Sequence, residues 1–279
     1  MAEITAALVG QLRRMTNAGL MDCKKALTAT NGDLDAAVDE LRKKGVATAA
    51  KKAGRAANEG VIAHYIRPDG KLGLLVEVNC ETDFVAKNDS FREFCSSVAK
   101  TLVEEPQADF EAIRTSQVTK VGENIQIGRH STLEVEGSGM VAAYIHTGAK
   151  VGVLVEVGAG KDETTSKDAF KSLVKDITLQ IAAANPTCVS RESVDPDLIA
   201  KEKEIAAEQF KDKPAQAVEQ ILKGKMEKFF QNICLVDQGF VKQNGDISIK
   251  EHVASASKEL GDEISIRRFL RFQVGETDE

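Results

Sequence analysis

Residues 60–78, GVIAHYIRPDGKLGLLVEV, can be set without a gap over residues 139–157, GMVAAYIHTGAKVGVLVEV. Ten of the nineteen positions are identical, among them Tyr65/Tyr144, Lys71/Lys150, Gly73/Gly152 and the runs Leu75-Val76-Glu77-Val78 and Leu154-Val155-Glu156-Val157. Each copy reads as a strand, a turn and a second strand, hence a hairpin. A helical stripe follows each at the same offset: Phe91, Phe94, Val98 and Leu102 in one copy, Phe170, Leu173, Ile177 and Ile181 in the other. The expected fold is therefore α+β, with a duplicated hairpin-plus-helix core in which helices cover antiparallel sheets. Two copies are too few for a solenoid and fit a paired scaffold.

Outward from the repeat, residues 106–135 predict a helix (Phe110, Ile113, Val118, Val121) and then a strand. Residues 196–231 predict two amphipathic helices around a turn at Lys211-Asp212-Lys213-Pro214. In that reading Ile199, Ile205 and Phe210 face Val218, Ile221, Leu222, Met226 and Phe229 in an antiparallel helical hairpin. The remainder predicts a strand over Cys234–Val241, a helix over Ser248–Leu260 and a last strand over Glu263–Val274.

The N-terminal stretch carries three short helical stripes: Ile4, Leu8, Leu12, Met15; then Leu20, Cys23, Leu27; then Leu34, Val38, Leu41. Gly19 separates the first pair, Asn31-Gly32 breaks the second, Asp33 is an expected N-cap and Gly45 an expected stop. Residues 43–55, KKGVATAAKKAGR, hold five bases and no acid. They read either as a solvated linker or as a basic arm for an acidic protein surface or RNA. The expected division is a three-helix N-terminal module at 1–45, a basic linker at 46–58, core subdomain one at 59–136 and core subdomain two at 137–190 with 232–279. The inserted helical hairpin, a coiled coil, takes 191–231.

The 279 residues carry a net charge of −6, with 42% hydrophobic and 29% charged side chains, an ordinary globular balance. Residues 1–55 hold ten bases against six acids, so the rest of the chain is strongly acidic. That disfavours non-specific nucleic-acid binding, and the basic stretch lacks the interleaved aromatics of a single-strand binder. No apolar run reaches the length of a membrane helix, and the start reads as neither signal nor transit peptide. Five cysteines, odd in number and distant in sequence, predict no disulfide framework and a reducing, cytoplasmic setting.

Catalytic patterns are thin. The histidines at 64, 130, 146 and 252 are scattered, with no metal-ligand spacing. Gly158-Ala159-Gly160-Lys161 imitates a phosphate loop, but Val155 and Asp162 stand where Gly and Ser/Thr are needed, so the segment reads as a plain loop. An enzyme is not expected, and neither a cofactor nor direct nucleotide binding is. The two copies diverge most in one connection: Asn79-Cys80-Glu81-Thr82-Asp83-Phe84-Val85-Ala86-Lys87-Asn88 against the polar Gly158–Lys167. A Phe beside an acid, in a polar connection whose counterpart in the other copy has no Phe, suits a probe entering a partner's pocket.

At these residues the sequence resembles the elongation factor Ts family. Leu12-Arg13 and the run Thr16-Asn17-Ala18-Gly19-Leu20-Met21-Asp22-Cys23-Lys24-Lys25-Ala26-Leu27 look like its first signature, and Thr82-Asp83-Phe84-Val85-Ala86 like its second. The insertion with Lys213-Pro214 is similar to the family's coiled-coil hairpin, and Cys234-Leu235, Gln238 and Phe240-Val241 to the segment after it. The resemblance implies guanine-nucleotide exchange on elongation factor Tu as partner. In it Arg13, Leu20 and Met21 contact the GTPase domain, and Asp83 and Phe84, flanked by Thr82 and Val85, enter near the magnesium site. His146 matches a family histidine. It also leaves open a dimer of heterodimers. Three departures stand out: Asn17 replaces a usual Gly, Thr147 precedes Gly148 where the family can have His-Gly, and the further C-terminal helical module of some members does not follow. The other reading carried from the residues is a non-catalytic scaffold with a ubiquitin-associated-like N-terminal module.

Overall fold

The computed structural model describes residues 4–16, 18–210 and 214–276. Asn17 and Lys211-Asp212-Lys213 of the expected turn lie outside the described residues. The elements are α1 (Ala6–Thr16), α2 (Leu20–Ala29), α3 (Leu34–Lys52), β1 (Glu59–Ile66), β2 (Leu72–Cys80), α4 (Asp83–Lys87), α5 (Asp89–Glu104), α6 (Phe110–Val121), β3 (Ile125–Glu134), β4 (Gly139–Ile145), β5 (Val151–Ala159), α7 (Asp168–Ala184), α8 (Pro196–Gln209), α9 (Ala215–Ile233), α10 (Ile249–Leu260) and β6 (Ile264–Gln273). The fold is α+β, with two three-stranded sheets ordered β1-β2-β3 and β4-β5-β6. The chain divides into two compact units, one of Met1–Ala63, Val76–Arg129 and Val274–Glu279, the other of His64–Leu75 and His130–Gln273.

In the first unit, α1 to α3 enclose a small core of Val9, Leu12, Ala18, Cys23, Ala26, Leu27, Ala37 and Leu41. Asp33 caps α3, accepting from the Ala36 N–H at 2.9 Å. Two expectations fail here. Met15 and Leu20 stand at the ends of their stripes and are 55% and 52% exposed rather than core. Gly45 does not stop α3, which runs on to Lys52. A glycine ends a helix only when its backbone turns left-handed. Gly45 instead stays helical and buried beneath α6, where a Cβ would sit 2.9 Å from Thr119 Oγ1. With Leu41 and Ala49 it forms an i, i+4 line that fits α3 against α6.

In the second unit, β4 and β5 pair antiparallel with Gly139 opposite Gly158 and Tyr144 opposite Val153. β6 pairs antiparallel on the other side of β5, with a bulge at Glu156/Val157. The core gathers Val153, Val155 and Val157 from β5, Phe170, Leu173, Ile177 and Ile181 from α7, and Leu235, Phe240 and Ile249. The repeat's opening glycine has a steric reason. Gly139 has φ +157°, and a Cβ there would lie 2.6 Å from the Val157 carbonyl; Gly60, at φ +155°, stands in the same relation to the Val78 carbonyl.

Cys234–Val241 is not a strand. It is two short 3-10 turns, Leu235–Asp237 and Val241–Gln243, around buried Gln238. Leu235 and Phe240 are buried as the pattern implied, but the backbone bonds piecemeal rather than in one ladder: Leu235 and Val236 donate to the Cys188 and Val189 carbonyls, Phe240 to the Ile247 carbonyl, and Val241 to Gln180 Oε1 at 2.9 Å. The helical hairpin also differs in its inner line: Ala206 and Met226 are buried, whereas Ile205 is 45% exposed. The expected stripe put the large residue inside, and the small one is there instead.

Candidate partner-binding site

Three groups of expected site residues sit on different elements. The first is α4, one turn of helix following β2. Thr82 is its N-cap. Glu123, in the turn after α6, grips the start of this segment: its Oε2 accepts from the N–H groups of Glu81 and Thr82, each at 3.0 Å, and its Oε1 from the Thr82 hydroxyl at 2.7 Å. The Asn124 N–H donates to Glu81 Oε1 at 2.6 Å, and the Asn124 amide donates to the Arg55 carbonyl at 2.8 Å. At the far end Arg92 Nε donates to the Ala86 carbonyl at 3.2 Å. Ala86 turns inward and is buried. Phe84, held by this clamp, is 81% exposed, an unusual state for so large an apolar ring. Asp83 pairs with Lys87 at 2.6 Å, one helical turn on. That hydrogen bond, more than any other influence, holds its carboxyl below the usual range. Val85 is half-buried.

The second group lies on the N-terminal helices. Arg13 is exposed in the last turn of α1, and Leu20 and Met21 open α2 at 52% and 60% exposure. The third is His146, exposed at the turn between β4 and β5. Its Nδ1 lies 3.1 Å from the Tyr144 hydroxyl, and its backbone N–H donates to Val151. Gly148 and Ala149 make this turn with φ of +89° and +57°. Thr147, the departure noted in the sequence, occupies an exposed position in it.

The phosphate-loop imitation is accounted for. Gly158 and Ala159 belong to β5, so the connection begins only at Gly160. Its amides are already used: the Gly160 N–H donates to the Glu263 carbonyl at 2.9 Å and the Lys161 N–H to Asp262 Oδ2 at 3.1 Å. The Arg267 guanidinium occupies the space a Cβ on Gly158 would take. Among the described residues no group of three or more His, Cys, Asp or Glu could hold a metal ion, and no helix is long and apolar enough to cross a membrane.

The sequence profile of the family described as Elongation factor TS matches residues 81–276. The chain belongs to the elongation factor Ts family. Among relatives named Elongation factor Ts, that of Trichlorobacter lovleyi is 42% identical over 291 aligned residues, covering 98% of this chain and 93% of the relative. That of Nautilia profundicola is 43% identical, covering 99% and 94%, and that of Nitratidesulfovibrio vulgaris 40% identical, covering 98% and 96%. The profile match opens at Glu81, inside the clamped segment. Glu123, Asn124 and Arg92 were not singled out from sequence. The only signal available was a carboxylate and an amide directly after Gly122, the left-handed end of α6. Nothing local says that they reach back some forty residues.

Proposed function

We propose that this protein is the guanine-nucleotide exchange factor of elongation factor Tu, acting in the cytoplasm and making and breaking no covalent bond itself. A GTPase of this type holds GDP through backbone amides, a Lys and a magnesium ion. To expel GDP, an exchange factor needs a rigidly mounted group that displaces the loops ordering the magnesium. The observation that carries the reading is Phe84, 81% exposed on a turn gripped by Glu123 and Arg92. An exposed ring on a floating loop would lose its binding energy to ordering, whereas a clamped one is pre-organised. Asp83 beside it brings a negative charge towards the carboxylate and phosphate ligands of the ion and favours its departure. Arg13, Leu20 and Met21 supply the docking contact on the GTPase domain, and His146 a further one.

The thermodynamics require only differential binding. The factor must bind the empty GTPase better than the GDP-bound one, and GDP must then weaken the factor's binding by the same ratio. The experiment is release of labelled GDP from elongation factor Tu, with and without this protein. Acceleration that Phe84→Ala largely removes supports the reading; unchanged release, or binding of GDP by this chain alone, rejects it.

A further inference from the structure

The root of the α8–α9 hairpin holds a pair of thiols that nucleotide exchange does not use. Cys188 precedes the hairpin and Cys234 follows it, 46 residues apart in sequence. Their backbones form an isolated parallel bridge. The Cys188 N–H donates to the Ile233 carbonyl at 3.1 Å, and its carbonyl accepts from the Leu235 N–H at 2.9 Å, so Cys188 is tied on both sides of Cys234. The two sulfurs are 3.6 Å apart and unbonded. Around them the root is drawn together by Arg191, which bridges Asp237 at 3.0 Å and Glu227 of α9 at 2.7 Å and lies over the Phe230 ring.

We propose that Cys188 and Cys234 form a reversible oxidation site, with a hydroperoxide as oxidant, whose product covalently closes the root of the hairpin. Cys188 is half-buried and Cys234 fully buried, so Cys188 meets the oxidant. Its sulfur attacks one peroxide oxygen, the O–O bond breaks, and the thiol proton leaves with the other oxygen as water, giving a sulfenic acid. The Cys234 sulfur then attacks the Cys188 sulfur. The S–S bond forms, the S–O bond breaks, and the departing hydroxide takes the Cys234 proton as a second water. Two electrons pass from the thiols to hydrogen peroxide. Burial raises the pKa of both thiols, and neighbouring Asp237 adds to it. Both are therefore slow nucleophiles at neutral pH, and the site answers sustained rather than brief exposure. A small neutral oxidant suits this position better than a bulky anionic disulfide beside Asp237.

The test uses the full-length native protein, exposed to excess hydrogen peroxide, alkylated and digested with trypsin. The expected product is peptide 176–191 joined to peptide 229–242, with the loss of two hydrogens, restored by dithiothreitol. The linked protein should also release hairpin fragments to protease roughly tenfold more slowly, because the crosslink constrains the opened root. In Cys234→Ser the link should vanish and dimedone should trap a sulfenic acid at Cys188. Recovery of the two peptides unlinked from the wild-type protein overturns the site. A link that leaves proteolysis unchanged overturns closure of the root.

Discussion

The connection after β2 and the connection after β5 stand at equivalent places in the two copies, and they are mounted alike. Each leans on an acid that follows a left-handed glycine ending a helix: Glu123 after Gly122 in the first, Asp262 after Gly261 in the second. Each acid accepts the N–H of the matching residue, Thr82 or Lys161. Inside each sheet a matching carboxylate is buried and met by arginine from the third strand. Glu77 pairs with Arg129 at 3.1 Å, and Glu156 with Arg267 at 2.9 Å and Arg268 at 2.7 Å. The duplication therefore extends past the hairpin and helix to a second helix, its turn and a third strand. What differs is the residue presented. The first turn carries Phe84 and the second carries Glu163, exposed like any charged side chain. The mount is common to both turns, the exposed ring belongs to the first alone, and the second serves as its internal control.

Six substitutions, in four groups, bear on that comparison, the groups taken in falling order of their effect on stability. Phe91→Ala and Phe170→Ala empty matched, fully buried positions. Each should cost about 3–5 kcal/mol in thermal or denaturant unfolding. A large inequality between them would mean that the copies do not share a packing plan.

Glu156→Gln breaks a buried ion pair that has two arginines on it, and should cost about 3 kcal/mol near neutral pH. Burial acts to raise this carboxyl, but the Glu136 N–H and the two guanidinium groups outweigh it and hold it below its ordinary 4.5. A folded value below the unfolded one gives stability that is fully present above about pH 4.5 and fades as pH falls through the folded value. The gap between the variant and the wild type, followed by melting temperature, should therefore narrow on acidification. A gap that widened would reverse the assignment.

Glu123→Ala leaves two amides and a hydroxyl without their acceptor. It should cost about 1–3 kcal/mol and raise hydrogen exchange at Glu81 and Thr82. Stimulated GDP release should fall with Phe84 still in place. Asp262→Ala removes the matching acid from the second copy and should leave GDP release unchanged; an equal loss would abolish the distinction between the turns.

Phe84→Ala should change stability by no more than about 0.5 kcal/mol while lowering stimulated GDP release at least tenfold, a loss of about 1.4 kcal/mol in transition-state terms. A substantial fall in melting temperature would return the ring to a structural role.

The repeat, the hairpins, the helices after them and the Asp33 cap were legible because each is written in residues close together in sequence. Phe84 was legible as the odd residue in a connection whose counterpart in the second copy is polar and has no Phe. Misreadings came where a residue's meaning depends on what approaches it from elsewhere. Gly45 has a helix-stopping identity, yet α6 packs on it and the helix continues. Residues 234–241 have the apolar content of a strand, yet their N–H groups are shared among the Cys188, Val189 and Ile247 carbonyls and the Gln180 side chain, so no single partner strand extends them. Ile205 belongs to a helical stripe, but the closer approach is at Ala206.

The α+β class, the duplicated hairpin-plus-helix order and the contrast between Asp83-Phe84 and its counterpart in the second copy are written in the chain alone, since periodicity, duplication and composition are properties of the sequence. Only the tertiary structure decided how Phe84 is held, through Glu123 and Arg92, and that Cys188 and Cys234, 46 residues apart, place their sulfurs 3.6 Å from one another. Hydrogen bonds and thiol pairs depend on distances of a few ångströms, and those are set by the packing of whole elements rather than by neighbours in sequence.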